Sequence, residues 1–162
     1  MAALLAYWLY VSRPPHDKRV KMGQLNWCDD YSVHISAIDN EHKFLIELIK
    51  ELDSAMETEE MVRLQLVSTI LEKLLHHIRV HFESEERFLL FNNYPDFDSH
   101  QQQHQLLLQK LETFISRLNS EHLVFTDQML LFIKDWYARH ILLDDSKFGR
   151  YFLGKELAAP YS

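Results

Sequence analysis

The sequence is poor in the residues that interrupt or staple a chain. Its 162 residues include three glycines, four prolines and a single cysteine, Cys28. Long stretches without glycine or proline exclude a turn-rich architecture and favour long helices with few connections. One cysteine excludes a disulfide framework, and its scarcity fits a reducing compartment. The apolar run from Met1 to Val11 falls short of the ~20 residues that cross a bilayer. It also lacks the basic start of a secretory signal peptide. Positive charge is scarce too: 17 Lys and Arg stand against 24 Asp and Glu, a net charge of −7. Without a basic stripe, nucleic acid is excluded as the main partner. A hydrophobic content of 47% with 25% charged residues describes a globular domain. The run from Met1 to Val11 is left with two readings, packing against the rest of the domain or a loose tether to another apolar surface, and the expectation is a cytoplasmic protein. One residue type is in surplus, namely histidine, with ten copies. Imidazole is the commonest metal ligand, so the surplus asks for a reason.

Three regions are expected. Residues 1–24 form an N-terminal apolar segment and linker, 25–155 a helical bundle, and 156–162 a tail. Within the bundle, apolar residues recur at spacings of three and four. The first helical block starts at about Asp39, read as its N-cap, and carries Phe44, Leu45, Leu48, Ile49 and Leu52. The second spans about 60–91, with Leu64, Val67, Leu71, Leu74, Ile78 and Phe82 along one side. The third runs from near Pro95 or Asp96 to Asn119, and the fourth from near Thr126 to about Phe148–Gly149. Four amphipathic helices with short connections predict an all-α, up-down antiparallel four-helix bundle with an N-terminal arm.

Polar residues that interrupt the apolar faces carry the chemistry. His81 and Glu85 are four apart, as are His100 and His104, so each pair shares one helix face. The first block offers His42 among Ile38, Leu45 and Ile49. The fourth offers His140, followed by Asp144 and Asp145. Burying so many polar groups without partners would cost several kcal/mol each, so a metal centre is the economical reading. Five histidines and two carboxylates exceed the needs of one tetrahedral zinc. They suit two metals, and a nitrogen-rich set favours iron over magnesium or calcium. The Glu-x-x-His pairs of ferritin-like bundles and the His-Glu-x-x-His zinc signature are both absent.

These residues resemble the hemerythrin family. Its opening segment is similar to Trp27, Tyr31-Ser32-Val33, Ile38-Asp39, His42-Lys43 and Leu45. Its central signature resembles His81-Phe82-x-x-Glu85-Glu86, Tyr94-Pro95 and His100-x-x-x-His104. Its closing one resembles Trp136-x-x-x-His140-Ile141-x-x-x-Asp145. The likeness runs from about Leu25 to Phe152. It implies two non-haem irons bridged by an oxo or hydroxo group, one held by His100, His104 and His140 and the other by His42 and His81. Glu85 and Asp145 would bridge them, and dioxygen would bind at the iron with two histidines. The implied function is reversible binding of dioxygen for carriage, storage or delivery, not catalysis. The rival readings are a di-iron redox enzyme acting on peroxide, nitric oxide or ferrous iron, and an oxygen or iron sensor.

Helix geometry and family pattern part at one point. Asp144, four residues after His140, would share its face on an ideal helix, whereas Asp145 lies about 140° away. The resemblance nevertheless selects Asp145. Three departures from the family stand out. His77 takes the place of a frequent Tyr, Tyr137 that of a pocket-lining Leu, and Glu41 that of a more usual Gln. Glu41 is expected on a solvated surface, as are Glu83 and Glu86. His16, His34, His76 and His122 are expected to be incidental, and Cys28 to be a small packing residue.

Overall fold

The computed structural model describes residues 25–120 and 124–155. Met1–Val11, His16, His122 and residues 156–162 lie outside the described residues. A 3₁₀ turn, Asp29–Tyr31, leads into α1 (Ser36–Met56), α2 (Glu60–Phe91) and α3 (Phe97–Ser120). The fourth helix begins as α4 (Asp127–Arg139), continues through a π-helical turn (His140–Asp145), and ends as α5 (Ser146–Phe152). No strand occurs among the described residues. The protein is an all-α four-helix bundle, in which α1 packs on α2 and α4, and α2 packs on α3.

The three-and-four spacing becomes one continuous apolar interior. Leu45, Ile49 and Leu52 meet Leu71, Leu74 and Ile78, with Leu111, Ile115, Leu130 and Ile133 from the other two helices. A second cluster gathers Val33, Ile35, Ile38, Phe88, Leu89, Tyr94, Phe148 and Phe152. The candidate ligands occupy the layer between them. On α1, His42 falls between Ile38 of the smaller cluster and Leu45 of the larger. On α2, Glu85 falls between Phe82 and Phe88 in the same way.

Two residues expected on the core faces point outward: Phe44 and Leu64 are each about half exposed. The α2 stripe starts one turn later, at Val67. Cys28 is exposed, not packed. The start of α1 also differs from expectation. The helix begins at Ser36, and Asp39 sits inside its first turn, folded back onto the preceding loop. Its carboxylate accepts from the Ser32 hydroxyl at 2.7 Å and from the Val33 N–H at 2.8 Å. A short acceptor near a helix start satisfies loose donors from either side of the boundary, so the residue type is informative but not its register. Thr126 does cap α4, accepting from the Met129 N–H at 3.4 Å.

The same loop explains Gly149. A Cβ there would lie 3.0 Å from both the Cα and the carbonyl oxygen of Val33, too close for either to stay put. Gly149→Ala is therefore expected to destabilise the fold by about 1–3 kcal/mol through overpacking. Calorimetry would show a melting midpoint several degrees lower with helix content kept. An unchanged midpoint would mean that the loop gives way freely.

Candidate metal centre

Seven polar side chains converge where apolar packing would otherwise continue. α1 supplies His42, α2 supplies His81 and Glu85, and α3 supplies His100 and His104. The π-helical turn supplies His140 and Asp145. Every one is buried, and His42, Glu85, His104 and Asp145 are fully so. Two overlapping sets of potential ligand atoms arise: His42, His81, Glu85 and Asp145; and Glu85, His100, His104 and Asp145. Within each set the atoms lie within 4.8 Å of one another, and Glu85 and Asp145 belong to both. His140 closes the second group, its Nε2 lying 3.3 Å from Asp145 Oδ1. On the opposite side, His42 Nε2 lies 3.3 Å from Asp145 Oδ2.

The π-helical turn resolves the choice between the two aspartates. Hydrogen bonds that close five residues apart bring position i+5, rather than i+4, back toward the starting face. Asp145 therefore enters the interior beside His140. Asp144 turns to the partly exposed side, where Lys147 donates to it at 3.0 Å. Ideal α-geometry fails here because the backbone is not α-helical over these six residues.

The donor set fits cations. Both ring nitrogens of His42 and His140, Nε2 of His81 and His104, Oε2 of Glu85 and both oxygens of Asp145 are buried without a hydrogen-bond partner. Unsatisfied buried polar groups are rare and costly, and here the Nε2 atoms and carboxylate oxygens among them gather in one small volume. Cations accepted by imidazole nitrogens and carboxylate oxygens would satisfy these atoms together.

Around this layer, further carboxylates hold the rings. The Nδ1–H of His81 donates to Glu41 at 2.9 Å, and Glu41 also accepts from the Ser84 hydroxyl. The Nδ1–H of His104 donates to Glu86 at 2.9 Å, and Glu86 also accepts from Gln101. A proton fixed on Nδ1 leaves the Nε2 lone pair facing the interior, the arrangement that orients a metal-ligating histidine. Glu41 and Glu86, expected to be merely solvated, thus have partners inside. Asp144 lies 3.8 Å from Nδ1 of His140, a third carboxylate at the back of an interior ring. Spacing could have signalled Glu41 and Glu86 only indirectly, because each neighbours a candidate ligand in sequence while its partner is on another helix. Phe82 stacks on the His104 ring, centroids 3.7 Å apart, and shuts that side with carbon.

The remaining candidates separate cleanly. His77 is half-buried against Phe44, ring centroids 4.6 Å apart, and joins neither set of potential ligands. His34 and His76 are exposed. Tyr137 is fully buried, and its hydroxyl donates a long 3.4 Å bond to the His42 carbonyl.

Titration among the protein groups follows this layout. Burial, then the charge of His81, lowers His42 to about 3. Burial disfavours charge on His104, but the adjoining carboxylates of Glu85 and Glu86 outweigh it and raise the pKa to about 9. Burial also acts against the Glu85 carboxylate, yet the imidazoles of His100 and His104 beside it hold its pKa low. Asp145 is pushed up to about 6 by burial and then by the charge of Glu85. Burial, then Asp145 and Glu85, drives the Tyr137 hydroxyl well above its ordinary value, so it stays protonated. Two carboxylates close together in a dry interior titrate apart for this reason.

Fold and interior together define a helical-bundle protein built to bind cations. The family model described as "Hemerythrin HHE cation binding domain" matches residues 33–152, and the chain belongs to the hemerythrin family. It is similar to the bacteriohemerythrin of Clostridium acetobutylicum, at 27% identity over 75% of this chain and 96% of that one. The Pseudomonas aeruginosa bacteriohemerythrin is 27% identical over 77% of this chain and 79% of its own length. Among solved structures, wild-type hemerythrin superposes with a TM-score of 0.71 at 22% identity, covering 79% of this chain and 97% of that one. A leucine-to-tyrosine variant of hemerythrin gives the same TM-score of 0.71 at 21% identity, covering 78% of this chain and 95% of that one. At these identities, the solved structures speak to fold alone.

Two outcomes are expected from this geometry. Asp145→Ala should reduce the metal content per chain, whereas Asp144→Ala should leave the stoichiometry intact; elemental analysis of purified protein reads both. The reverse pattern would mean that the π-helical turn does not direct Asp145 to the metals. Glu86→Ala, which frees the His104 ring, should weaken metal affinity by about 10–100-fold in a chelator competition. Unaltered affinity would show that packing against Phe82 is enough to hold the ring.

Proposed function

We propose that the bundle holds two non-haem irons and binds dioxygen reversibly, for carriage, storage or local delivery. The observation that carries this reading is the sharing of Glu85 and Asp145 between two ligand sets. On this reading His100, His104 and His140 hold one iron, His42 and His81 the other, and the two carboxylates lie between. A ferrous pair held there would supply the two electrons that reversible binding of dioxygen requires. The side with only His42 and His81 leaves room for a small ligand.

The chain's own residues make binding preferable to turnover. Phe82 and Ile38 wall the layer with carbon, and Tyr137 adds a ring set edge-on to His42 at 6.3 Å. These walls exclude bulk water. Glu41 and Glu86 hold Nδ1 of His81 and His104, which orients both rings with Nε2 toward the interior. Apart from the proposed ligands, Tyr137 is the fully buried residue here with a proton to donate, and its hydroxyl is a very weak acid. A buried site with so little proton traffic favours reversible binding of a neutral molecule over repeated proton-coupled chemistry.

Anaerobic reconstitution with ferrous iron, followed by metal analysis and optical spectra, tests the proposal. Two irons per chain are expected, with a charge-transfer band that develops in air and disappears on deoxygenation. A single iron per chain would overturn the di-iron reading. Two irons that oxidise at once, with no reversible band, would replace oxygen carriage with a redox enzyme or a sensor.

A further inference from the structure

The outer face between α1 and α2 carries two grooves in line. One, of about 330 Å³, is lined by Asn40, Glu41, Phe44, Leu45, His77, Val80 and His81. The other, of about 460 Å³, lies further along the same pair of helices, between Glu47, Lys50, Glu51, Ser54 and Ala55 on α1, Thr58 just beyond it, and Leu66 and Ile70 on α2. Phe44 of the first and Glu47 of the second are three residues apart, so the grooves are consecutive stretches of one seam, about 26 Å long from residue 41 to 58 at helical rise. Its apolar lining is open to solvent: Phe44 is 48% exposed, Val80 44% and Leu66 39%. Val62, one turn before Leu66, extends the stripe at 48% exposure. A contiguous apolar strip of this kind on a bundle marks a surface that something covers.

We propose that residues 1–11 of the same chain occupy this seam. Three observations select that occupant. The first is its chemistry: Met1–Val11 is uncharged in its side chains and includes Leu4, Leu5, Tyr7, Trp8, Leu9 and Tyr10, an apolar complement to Phe44, Val80 and Leu66. The second is charge: Arg13, Lys18, Arg19 and Lys21 follow it, and the lining of the seam presents Glu41, Glu47 and Glu51 against a single cation, Lys50, which pairs with Glu47 at 3.0 Å. The third is reach. The described chain starts at the buried Leu25, and Lys43, next to Phe44, lies over the Trp27 ring at 4.8 Å. The described chain thus begins beside α1. Residues 12–24 can extend about 43 Å, more than the seam requires.

Such docking is independent of which metal the interior holds.

The test uses the full chain with the photo-cross-linker p-benzoylphenylalanine at position 44 and, separately, at 66. Leu153, exposed just past the end of α5, serves as the control position. Irradiation of dilute protein should give an intramolecular cross-link from 44 and 66, but not from 153, to the peptide containing residues 1–11. In the unmodified chain, carbodiimide should join Lys18 or Lys21 to Glu47 or Glu51, a check that needs no substitution. Cross-links only between copies would assign the seam to a dimer. No intramolecular product in free protein, together with co-sedimentation with lipid vesicles that disappears when residues 1–11 are removed, would assign residues 1–11 to a membrane surface. Either result, or no cross-link to residues 1–11 at all, overturns the proposal.

Discussion

Two carboxylates, Glu85 and Asp145, lie fully buried at the centre of an apolar bundle, and the rest of the interior is arranged around that charge. Removing such groups from water costs several kcal/mol per ion even after relaxation, at roughly the scale of a domain's whole stability. Imidazoles close to them reduce the cost only in part. His100 approaches Glu85 at 2.6 Å, but His42 and His140 keep unpartnered nitrogens beside Asp145. An interior left in this state has carboxylates repelling one another and lone pairs facing one another. Bound cations reverse both terms at once. Metal binding is coupled to folding stability for this reason, and every helix of the bundle contributes a ligand to the same layer.

That constraint also accounts for the one irregular stretch of the main helices. A carboxylate and an imidazole from the fourth helix must both enter the same layer, and α-helical spacing would bring in Asp144. The π-helical turn at His140–Asp145 brings in Asp145 instead, and leaves Asp144 behind the His140 ring with Lys147. A wide turn packs less well than an α-turn, so its presence at the site and nowhere else among the described residues places its purpose there. Gly149, a few residues on, permits the loop at Val33 to close over the smaller apolar cluster just beyond.

Much of this layout is legible in the amino-acid sequence, for a physical reason. Pairs such as His81 and Glu85, or His100 and His104, lie on one helix, where spacing maps directly onto direction. The same regularity carries the α2 limits and the apolar stripe from Val67 to Phe82. Relations between helices are not legible in that way. Glu41 meets His81 across 40 residues of sequence and Glu86 meets His104 across 18, and single-helix spacing predicts neither partner. Phe44 and Leu64 fail for a related reason, since an apolar side chain on the edge of a stripe faces inward only if a neighbouring helix covers it. Asp145 requires the family pattern, because i+5 spacing is meaningless until the backbone is known to widen.

The rings of the interior differ in how they are held, and the difference bears on which ligands can reach them. His81 and His104 lean on carboxylates that are themselves partly exposed, Glu41 and Glu86. Those carboxylate–imidazole pairs are the polar links from solvent to the layer, and each is already occupied by a hydrogen bond. His42 has no such link. Its nitrogens lack hydrogen-bond partners, and its backbone carbonyl meets the buried Tyr137 hydroxyl. An ion approaching His42 would have to leave water and cross carbon. A small neutral molecule gives up little hydration on the same path. His42 is thus the ring best shielded from charged species, whereas each half of the interior keeps one histidine linked to solvent through a carboxylate, His81 by Glu41 and His104 by Glu86.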